Sequence, residues 1–310
     1  MNPVNPVANP FFLAGPTAVG KSEIALALAE KIGGEIVSVD SMQVYRGLDL
    51  GTAKPSPAER ARVRHHLVDV ADLTEHFDAA KFVALAKGAV AEIQSRGKVP
   101  VFCGGTGLYF RAFLAGLGDA PPADEVLRGE LEKTPVETLL RELAERDPVA
   151  FERIDRQNPR RIIRAVEVIR LTGKPFSVQR ADWKGASRIA PHASRQFAFS
   201  RSNSELQRRI GLRVDEMFRR GLVAETEQLL KRGLADNKTA MQALGYRQVA
   251  EQLRGERSLD ETIDLVKIRT RQFAKRQMTW FRRQMEWQWI ELTVPDQPEI
   301  VAAKLLDSGR

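Results

Sequence analysis

The sequence predicts an α/β fold: a parallel sheet with a P-loop core, a helical insertion in mid-chain and a helical C-terminal region. Three observations predict it. First, a short apolar run, Phe11 to Ala14, leads into Gly15-Pro16-Thr17-Ala18-Val19-Gly20-Lys21-Ser22 and then an Ala/Leu-rich segment, Glu23 to Ile32. That is the strand, turn and helix order of a P-loop. Second, further apolar runs at Glu35 to Val39 and Val99 to Cys103 each end in a polar or Gly-rich turn. In an open α/β sheet such turns face the ligand crevice. Third, from about Gly116 the chain changes to short charged helical segments, and Gln196 to Ser200 returns to strand composition. The expected organisation is therefore residues 1–116 as the first part of the core, 117–194 as a helical insertion, and 195–310 as core completion with a basic helical region.

In the P-loop, the two glycines let successive backbone N–H groups turn inward on an anion. Lys21 adds a positive charge at the outer phosphates, the Ser22 hydroxyl can hold Mg²⁺, and the following helix presents its positive dipole end. The pattern speaks for a phosphate or diphosphate and does not by itself specify ATP. Gly33-Gly34 stops the helix. Asp40-Ser41-Met42-Gln43 follows the next strand and is expected at the same crevice, against the plainer reading of Asp40 as a turn residue. Residues 47–64 read as a polar loop. His65 and His66 cannot share a helix face and read as loop or packing residues. Phe77 to Gln94 has helical spacing, with Phe82, Leu85, Ala86, Ala89, Val90 and Ile93 in one stripe. After the next strand, Gly104-Gly105-Thr106-Gly107 repeats the strand-to-helix turn, with Thr106 as the candidate contact.

Within the insertion, Asp124 to Lys133, Pro135 to Arg146 and Pro148 to Arg156 read as helices. Asn158-Pro159 caps another that runs to Leu171, with Ile162, Val166 and Ile169 buried and Arg160, Arg161 and Arg164 on a different face. Further on, Leu206 to Arg219 places Arg209 and Arg213 on one face. Ser258-Leu259-Asp260-Glu261 is a capping box for a long helix to Met285. At about 100° per residue, Ile263, Val266, Phe273 and Trp280 are expected on its buried side. Arg271, Lys275 and Arg282 lie opposite, with Arg269, Arg276 and Arg283 on a flank. No acidic residue occurs from Ile268 to Arg283. A one-sign surface of this kind repels itself unless something anionic lies against it.

The bulk properties bound the function. The chain has 310 residues, 43% hydrophobic and 28% charged, enough for a sizeable core. No run of about 18 apolar residues is present, so no membrane span is expected. The start, Met1 to Pro10, has neither a basic n-region nor a long apolar stretch, so no secretory signal is expected. A single cysteine, Cys103, excludes an internal disulfide and a Cys-rich zinc module, and points to the cytoplasm. Cys103 itself reads as a small buried strand residue rather than a nucleophile. The net charge of +8 points to a polyanionic partner.

With these residues in hand, the chain resembles the tRNA dimethylallyltransferase (tRNA isopentenyltransferase) family from end to end. The resemblance rests on Gly15 to Ser22, Asp40-Ser41-Met42-Gln43-Val44-Tyr45, Gly104-Gly105-Thr106-Gly107-Leu108-Tyr109, Leu244-Gly245-Tyr246-Arg247 and the run from Thr270 to Trp280, the last being the most specific. It implies a P-loop NTPase-like core and an insertion that grips the anticodon arm. It also implies transfer of a dimethylallyl group from dimethylallyl diphosphate to N6 of the adenine 3′ of the anticodon, with Mg²⁺ as cofactor. The expected state is a monomer. One departure is Arg160-Arg161, where relatives often carry Gln-Arg. The zinc finger of eukaryotic relatives is not seen, which fits a bacterial-type member.

Roles follow for the residues. Gly15, Pro16, Thr17, Ala18, Val19, Gly20, Lys21 and Ser22 would cradle the diphosphate, with Arg213 or its neighbour Arg209 neutralising it. Asp40 would take the N6 proton or, as the alternative, bind Mg²⁺, and Thr106 would help read the base. Asp40, Ser41, Met42, Gln43, Thr106, Arg128, Arg160, Arg161, Ile162, Ile163, Arg164, Gln242, Ala243, Leu244, Gly245, Tyr246, Arg247, Lys275, Arg276, Gln277, Met278, Thr279, Trp280, Phe281 and Arg282 would contact tRNA. Rival functions are a P-loop small-molecule kinase or ATPase, an RNA-binding module without chemistry, and prenylation of free AMP.

Overall fold

A computed structural model describes residues 9–179, 195–293 and 297–308; the end of the expected insertion, 180–194, and residues 1–8 lie outside them. The strands β1 (Phe11–Ala14), β2 (Glu35–Val39), β3 (His65–His66), β4 (Pro100–Gly104), β5 (Gln196–Ser200) and β6 (Gln288–Glu291) form a parallel sheet in the order β3-β2-β4-β1-β5-β6. β1, β2 and β4 are buried along their whole length, as strands covered on both faces must be. The chain leaves β1 toward β2 on one side and later crosses to β5 on the other, so strand order reverses around β1. Ligands in open α/β sheets sit at the carboxyl ends of the strands, where this reversal opens a crevice.

The helices of the sheet-bearing part are α1 (Lys21–Ile32), α2 (Pro57–Arg62), α3 (Ala79–Ser95) and α4 (Gly107–Ala115). The middle of the chain supplies α5 (Glu125–Lys133), α6 (Val136–Arg146), α7 (Pro148–Arg153), α8 (Pro159–Thr172) and α9 (Phe176–Gln179). After β5 come α10 (Asn203–Arg219), α11 (Leu222–Lys231), α12 (Tyr246–Leu253), α13 (Leu259–Gln284) and α14 (Pro298–Ser308). The chain divides into two compact units, Met1–Arg111 with Ile189–Arg310, and Ala112–Arg188.

The larger unit has its core on β1, β4, β5, α1 and α14, with Leu13, Leu28, Val101, Phe197, Phe199, Ala302 and Leu305 fully or almost fully buried. At the amino end of β2, Glu35 is buried and accepts from His66 Nε2 (2.7 Å), from Arg96 Nη2 (2.6 Å) and from Lys98 Nζ (3.0 Å). Burial alone would raise its pKa; the three donors outweigh it and hold the carboxyl down to about 2. His66 is thus a packing residue. In the smaller unit, Leu131, Leu139, Leu143, Ile162, Val166 and Ile169 form a separate core.

Several expectations are corrected. The loop 47–64 contains α2, opened by a capping box of Ser56 and Glu59 that is local chemistry the length of the loop hid. Strand β6 and helix α14 were not anticipated from sequence; β6 is largely exposed and so lacks a buried-strand pattern. Leu85 of α3 is exposed, because the buried stripe narrows to Phe82, Ala86, Ala89 and Ile93.

The main correction concerns α13. Its buried face is Thr262, Val266, Thr270, Ala274, Gln277 and Phe281. Phe273 is exposed and Trp280 only partly covered. Threonines on this face satisfy their hydroxyls on the helix itself: Thr262 Oγ1 donates to Ser258 O (2.8 Å) and Thr270 Oγ1 to Val266 O (2.7 Å). A buried polar side chain with a partner costs little, so the largest apolar residues do not alone mark the inner face. Phe281 instead joins Phe110 and Trp287 in an edge-to-face cluster, with ring centroids 6.2 and 5.7 Å from its own.

This register carries a test. Phe281→Ala should destabilise the fold by about 3–5 kcal/mol, whereas Phe273→Ala should stay within about 0.5 kcal/mol of wild type. Urea denaturation of both proteins measures the pair, and the opposite ordering would restore the wheel drawn from hydropathy.

Candidate functional site

Three loops leave neighbouring strands at one end of the sheet: residues 15–20 after β1, 40–43 after β2 and 105–106 after β4. The first is the candidate anion cradle. Gly20 lies at the N-terminus of α1 with φ 109°, a left-handed conformation that glycine adopts without strain. Ala18 lies at φ 63°, where an L-residue is strained. Its carbonyl accepts from Arg209 Nε (2.8 Å), so the strained peptide is held by an ion. Arg201 Nε donates to Val19 O (2.7 Å), and Arg213 Nη1 donates to Thr17 Oγ1 (3.4 Å). Three guanidiniums thus stand on three successive residues of the cradle.

Lys21 Nζ donates to Pro16 O (3.2 Å). Burial lowers the pKa of Lys21, and the Arg213 charge adds to that; the charges of Cys103, Asp40 and Glu23 act the other way. Burial likewise lowers the pKa of Arg213, against the nearby Glu23 and Asp40 charges. Two desolvated cations that repel one another gain from any anion that enters between them. Cys103 lies behind Lys21, with its thiol 3.6 Å from Lys21 O. Burial pushes the thiol up to about 12, which leaves it protonated and inert.

Asp40 forms the turn after β2: its Oδ1 accepts from the N–H groups of Met42 (2.8 Å) and Gln43 (3.3 Å). So the plainer reading of Asp40 as a turn residue also holds, and it leaves Oδ2 for other work. Asp40 leaves β2 level with the cradle, since Val39 and Ala14 both pair with Gly104, and its charge acts against the lowering of the Lys21 and Arg213 pKa values. Thr106 is joined to this turn. Its N–H donates to Val39 O (3.1 Å), and its Oγ1 accepts from the Ser41 N–H (3.1 Å). Gln43 is held in turn: Ser38 Oγ donates to its Oε1 (2.9 Å), and its Nε2 donates to Thr52 O and Ala53 O (both 3.1 Å).

A cleft of about 1360 Å³ opens beside the cradle. Lys21, Ser22, Gln43, Arg209 and Arg213 are among its walls, as are Arg46, Lys54 and His65; Asp40 and Thr106 are not. A second, shallower groove of about 510 Å³ runs along the outer face of α13, between Lys275, Arg276, Thr279, Trp280 and Arg283.

The expected RNA contacts divide in two. Exposed ones are Arg160, Arg161, Gln242, Arg247, Lys275, Arg276, Thr279 and Arg282, with Ile163, Leu244 and Met278 half-buried. Ile162, Ala243, Tyr246 and Phe281 are instead core residues. Tyr246 donates its hydroxyl to Glu225 (2.6 Å) and accepts from the Gly51 N–H (3.0 Å), which pins the 48–53 loop that holds Gln43. In the smaller unit, Arg128 and Arg164 are each 2.7 Å from the buried Glu167 carboxylate. Their charges are committed internally, which the spacing of basic residues cannot reveal. Gln277 is buried and faces the P-loop. Arg201 was missed by sequence reading, although its place directly after β5, the strand beside β1, is a signal available in the sequence.

Comparisons with known proteins agree over most of the chain. The model of the IPP transferase family matches residues 43–284. A protein of Geotalea daltonii named tRNA dimethylallyltransferase 2 is 47% identical, covering 90% of this chain and 86% of its own. A tRNA dimethylallyltransferase of Geobacillus kaustophilus is 42% identical, covering 96% and 94%. The crystal structure of a tRNA isopentenylpyrophosphate transferase from Bacillus halodurans matches with a TM-score of 0.68 at 36% identity, covering 98% and 97%. A eukaryotic dimethylallyltransferase acting on tRNA matches with a TM-score of 0.75 at 25% identity, covering 96% and 77%.

The cradle predicts linkage. Inorganic pyrophosphate at about 100 times its Kd should stabilise the fold by about 2.7 kcal/mol, read as a rise in Tm, and Lys21→Met should remove most of that rise. A Tm indifferent to pyrophosphate in the wild type would refute the cradle.

Proposed function

The chain belongs to the IPP transferase family, and we propose that it transfers a dimethylallyl group from dimethylallyl diphosphate to N6 of the adenine 3′ of the anticodon in tRNA, in the cytoplasm and as a single chain. The observation that carries this is that a carboxylate turn, Asp40 to Gln43, leaves the sheet level with the anion cradle, because Val39 and Ala14 both pair with Gly104. A kinase needs the same cradle, but not the basic and aromatic groove on α13.

The reaction forms a C–N bond, breaks a C–O bond and moves one proton off N6. N6 attacks C1 of the allyl group, the C1–O bond opens, and diphosphate leaves with the bonding pair. Backbone N–H groups of the P-loop, Lys21 and Arg213 neutralise the charge that develops on the leaving oxygens. Arg209 is tied to Ala18 O and to Glu23, and acts by holding the loop's shape. N6 is a weak nucleophile because its lone pair is delocalised into the ring. A carboxylate that accepts the N6 proton as the C–N bond forms removes that obstacle, and Asp40 Oδ2 is the group for it. The base must leave its stack to reach this point, and Thr106 with the 40–43 turn would receive it.

Ser22 is exposed at the start of α1, on the cleft wall. Among the described residues no group of three His, Cys, Asp or Glu could hold a metal. A single hydroxyl fits a Mg²⁺ that takes its remaining oxygens from diphosphate and water. When bound there, Mg²⁺ would lower the charge on the leaving group. Arg160, Arg161 and the α13 groove would meet the RNA backbone of the anticodon stem-loop, with Trp280 offering a stacking face.

Incubation with labelled dimethylallyl diphosphate, Mg²⁺ and unmodified tRNA, followed by digestion to nucleosides, should give N6-dimethylallyladenosine. Asp40→Asn should keep tRNA and diphosphate binding while turnover falls by about 10²–10⁴-fold; a variant that turns over normally excludes Asp40 as the base. Affinity for tRNA should fall steeply with salt, by roughly one logarithmic unit in Kd per tenfold salt for each phosphate neutralised. A flat response, or label transferred only from ATP, would return the protein to the nucleotide enzymes.

A further inference from the structure

Gln277 lies within the stretch of α13 that carries the basic groove, but on the buried side of the helix, and is 8% exposed. Its amide makes two bonds in two directions. Oε1 accepts from the Thr17 N–H in the P-loop (2.8 Å), and Nε2 donates to Gly105 O in the loop after β4 (2.9 Å). The sheet register joins these two loops only as far as Ala14 and Gly104. Beyond that row the Gln277 amide bridges them. A Cβ at position 105 would collide with the Gln277 amide, so Gly105 is the residue that lets the bridge close. Three residues on, the Trp280 ring lies where a Cβ of Gly107 would be. Thr106 stands between these two contacts and is bonded to the Asp40 turn.

We infer that Gln277 is a positioning residue: it sets the distance between the anion cradle and the loop that carries Thr106, and so aligns the allyl carbon with the incoming base. The inference rests on the prenyl-transfer reading above and assigns Gln277 a task other than RNA contact. The chain of contacts runs from Thr17 through Gln277 to Gly105, then through Thr106 to Ser41 beside Asp40. The proposed diphosphate site and the Asp40 carboxylate are at its two ends. Gln277 bonds the Thr17 N–H but none of the charged groups that would hold the substrates (Lys21, Arg213 and Asp40), so each substrate should still bind when the bridge is lost. Their relative placement should not survive, and misplacement by about 1 Å costs on the order of 100-fold in rate.

Gln277→Met keeps the length and shape of the side chain and removes both bonds. Gln277→Glu keeps an acceptor for the Thr17 N–H and turns a carboxylate oxygen on Gly105 O. Steady-state kinetics of the full chain with tRNA and dimethylallyl diphosphate, beside circular dichroism, should show kcat lower by about 100-fold in Gln277→Met. Gln277→Glu should fall between it and wild type, and KM for both substrates should stay within about threefold. Four results overturn the inference. They are a kcat within threefold of wild type in Gln277→Met; a rise in KM for tRNA with kcat intact, which makes Gln277 an RNA contact; a Gln277→Glu as slow as Gln277→Met, which makes the Thr17 bond worthless; and failure of both variants to fold, which makes the bridge a fold element only. A wild-type protein without prenyl transfer would instead refute the function on which the inference rests.

Discussion

Gly104 stands opposite Ala14 on one side and Val39 on the other, and the rest of the site depends on that row. Parallel pairing sets three strand ends level, so three loops leave the sheet side by side. Each carries one part of the proposed chemistry: an anion cradle after β1, a carboxylate turn after β2 and a hydroxyl after β4. Parallel strands are buried on both faces and read as plain apolar runs. That is why this row could be anticipated from Phe11 to Ala14, Glu35 to Val39 and Val99 to Cys103 without knowing which strand lies beside which.

Beyond the row, side chains from distant elements hold the loops. Arg201 follows β5, Arg209 and Arg213 lie on α10, and Gln277 on α13, and all four reach residues 17–19. Charged donors on backbone carbonyls make stronger bonds than neutral ones. They keep Ala18 in a conformation it would otherwise leave. The cradle is therefore assembled by the C-terminal half of the chain, although its sequence lies near residue 20. Motif reading found the cradle because glycine, lysine and serine spacing is local. It found Arg213 with Arg209 from their four-residue step on one helix face, and it assigned Gln277 to RNA because Gln277 sits in a basic stretch.

The basic surface is smaller than the sequence suggests. Arg128 and Arg164 serve the buried Glu167, which keeps a carboxylate inside the smaller unit at the cost of two of the expected phosphate contacts. On α13 the charges do face outward, and Trp280 lies among them while also packing on Gly107. One helix thus carries the groove on its outer face and the bridge between loops on its inner face. Tyr246 plays a related part from α12, through Glu225 and the loop that positions Gln43.

By itself the sequence determined the fold class, the phosphate loop, most helix boundaries and the family, because each of these is encoded in short-range spacing: glycines at a turn, caps at a helix start, a period of 3.6. Only the tertiary structure decided which side of α13 is buried, which arginines already have partners, and that Gln277 joins two loops 88 residues apart in the chain. Those outcomes turn on pairings between residues far separated in sequence. A polar residue that finds such a partner can be buried as cheaply as an apolar one, and hydropathy cannot tell the two cases apart.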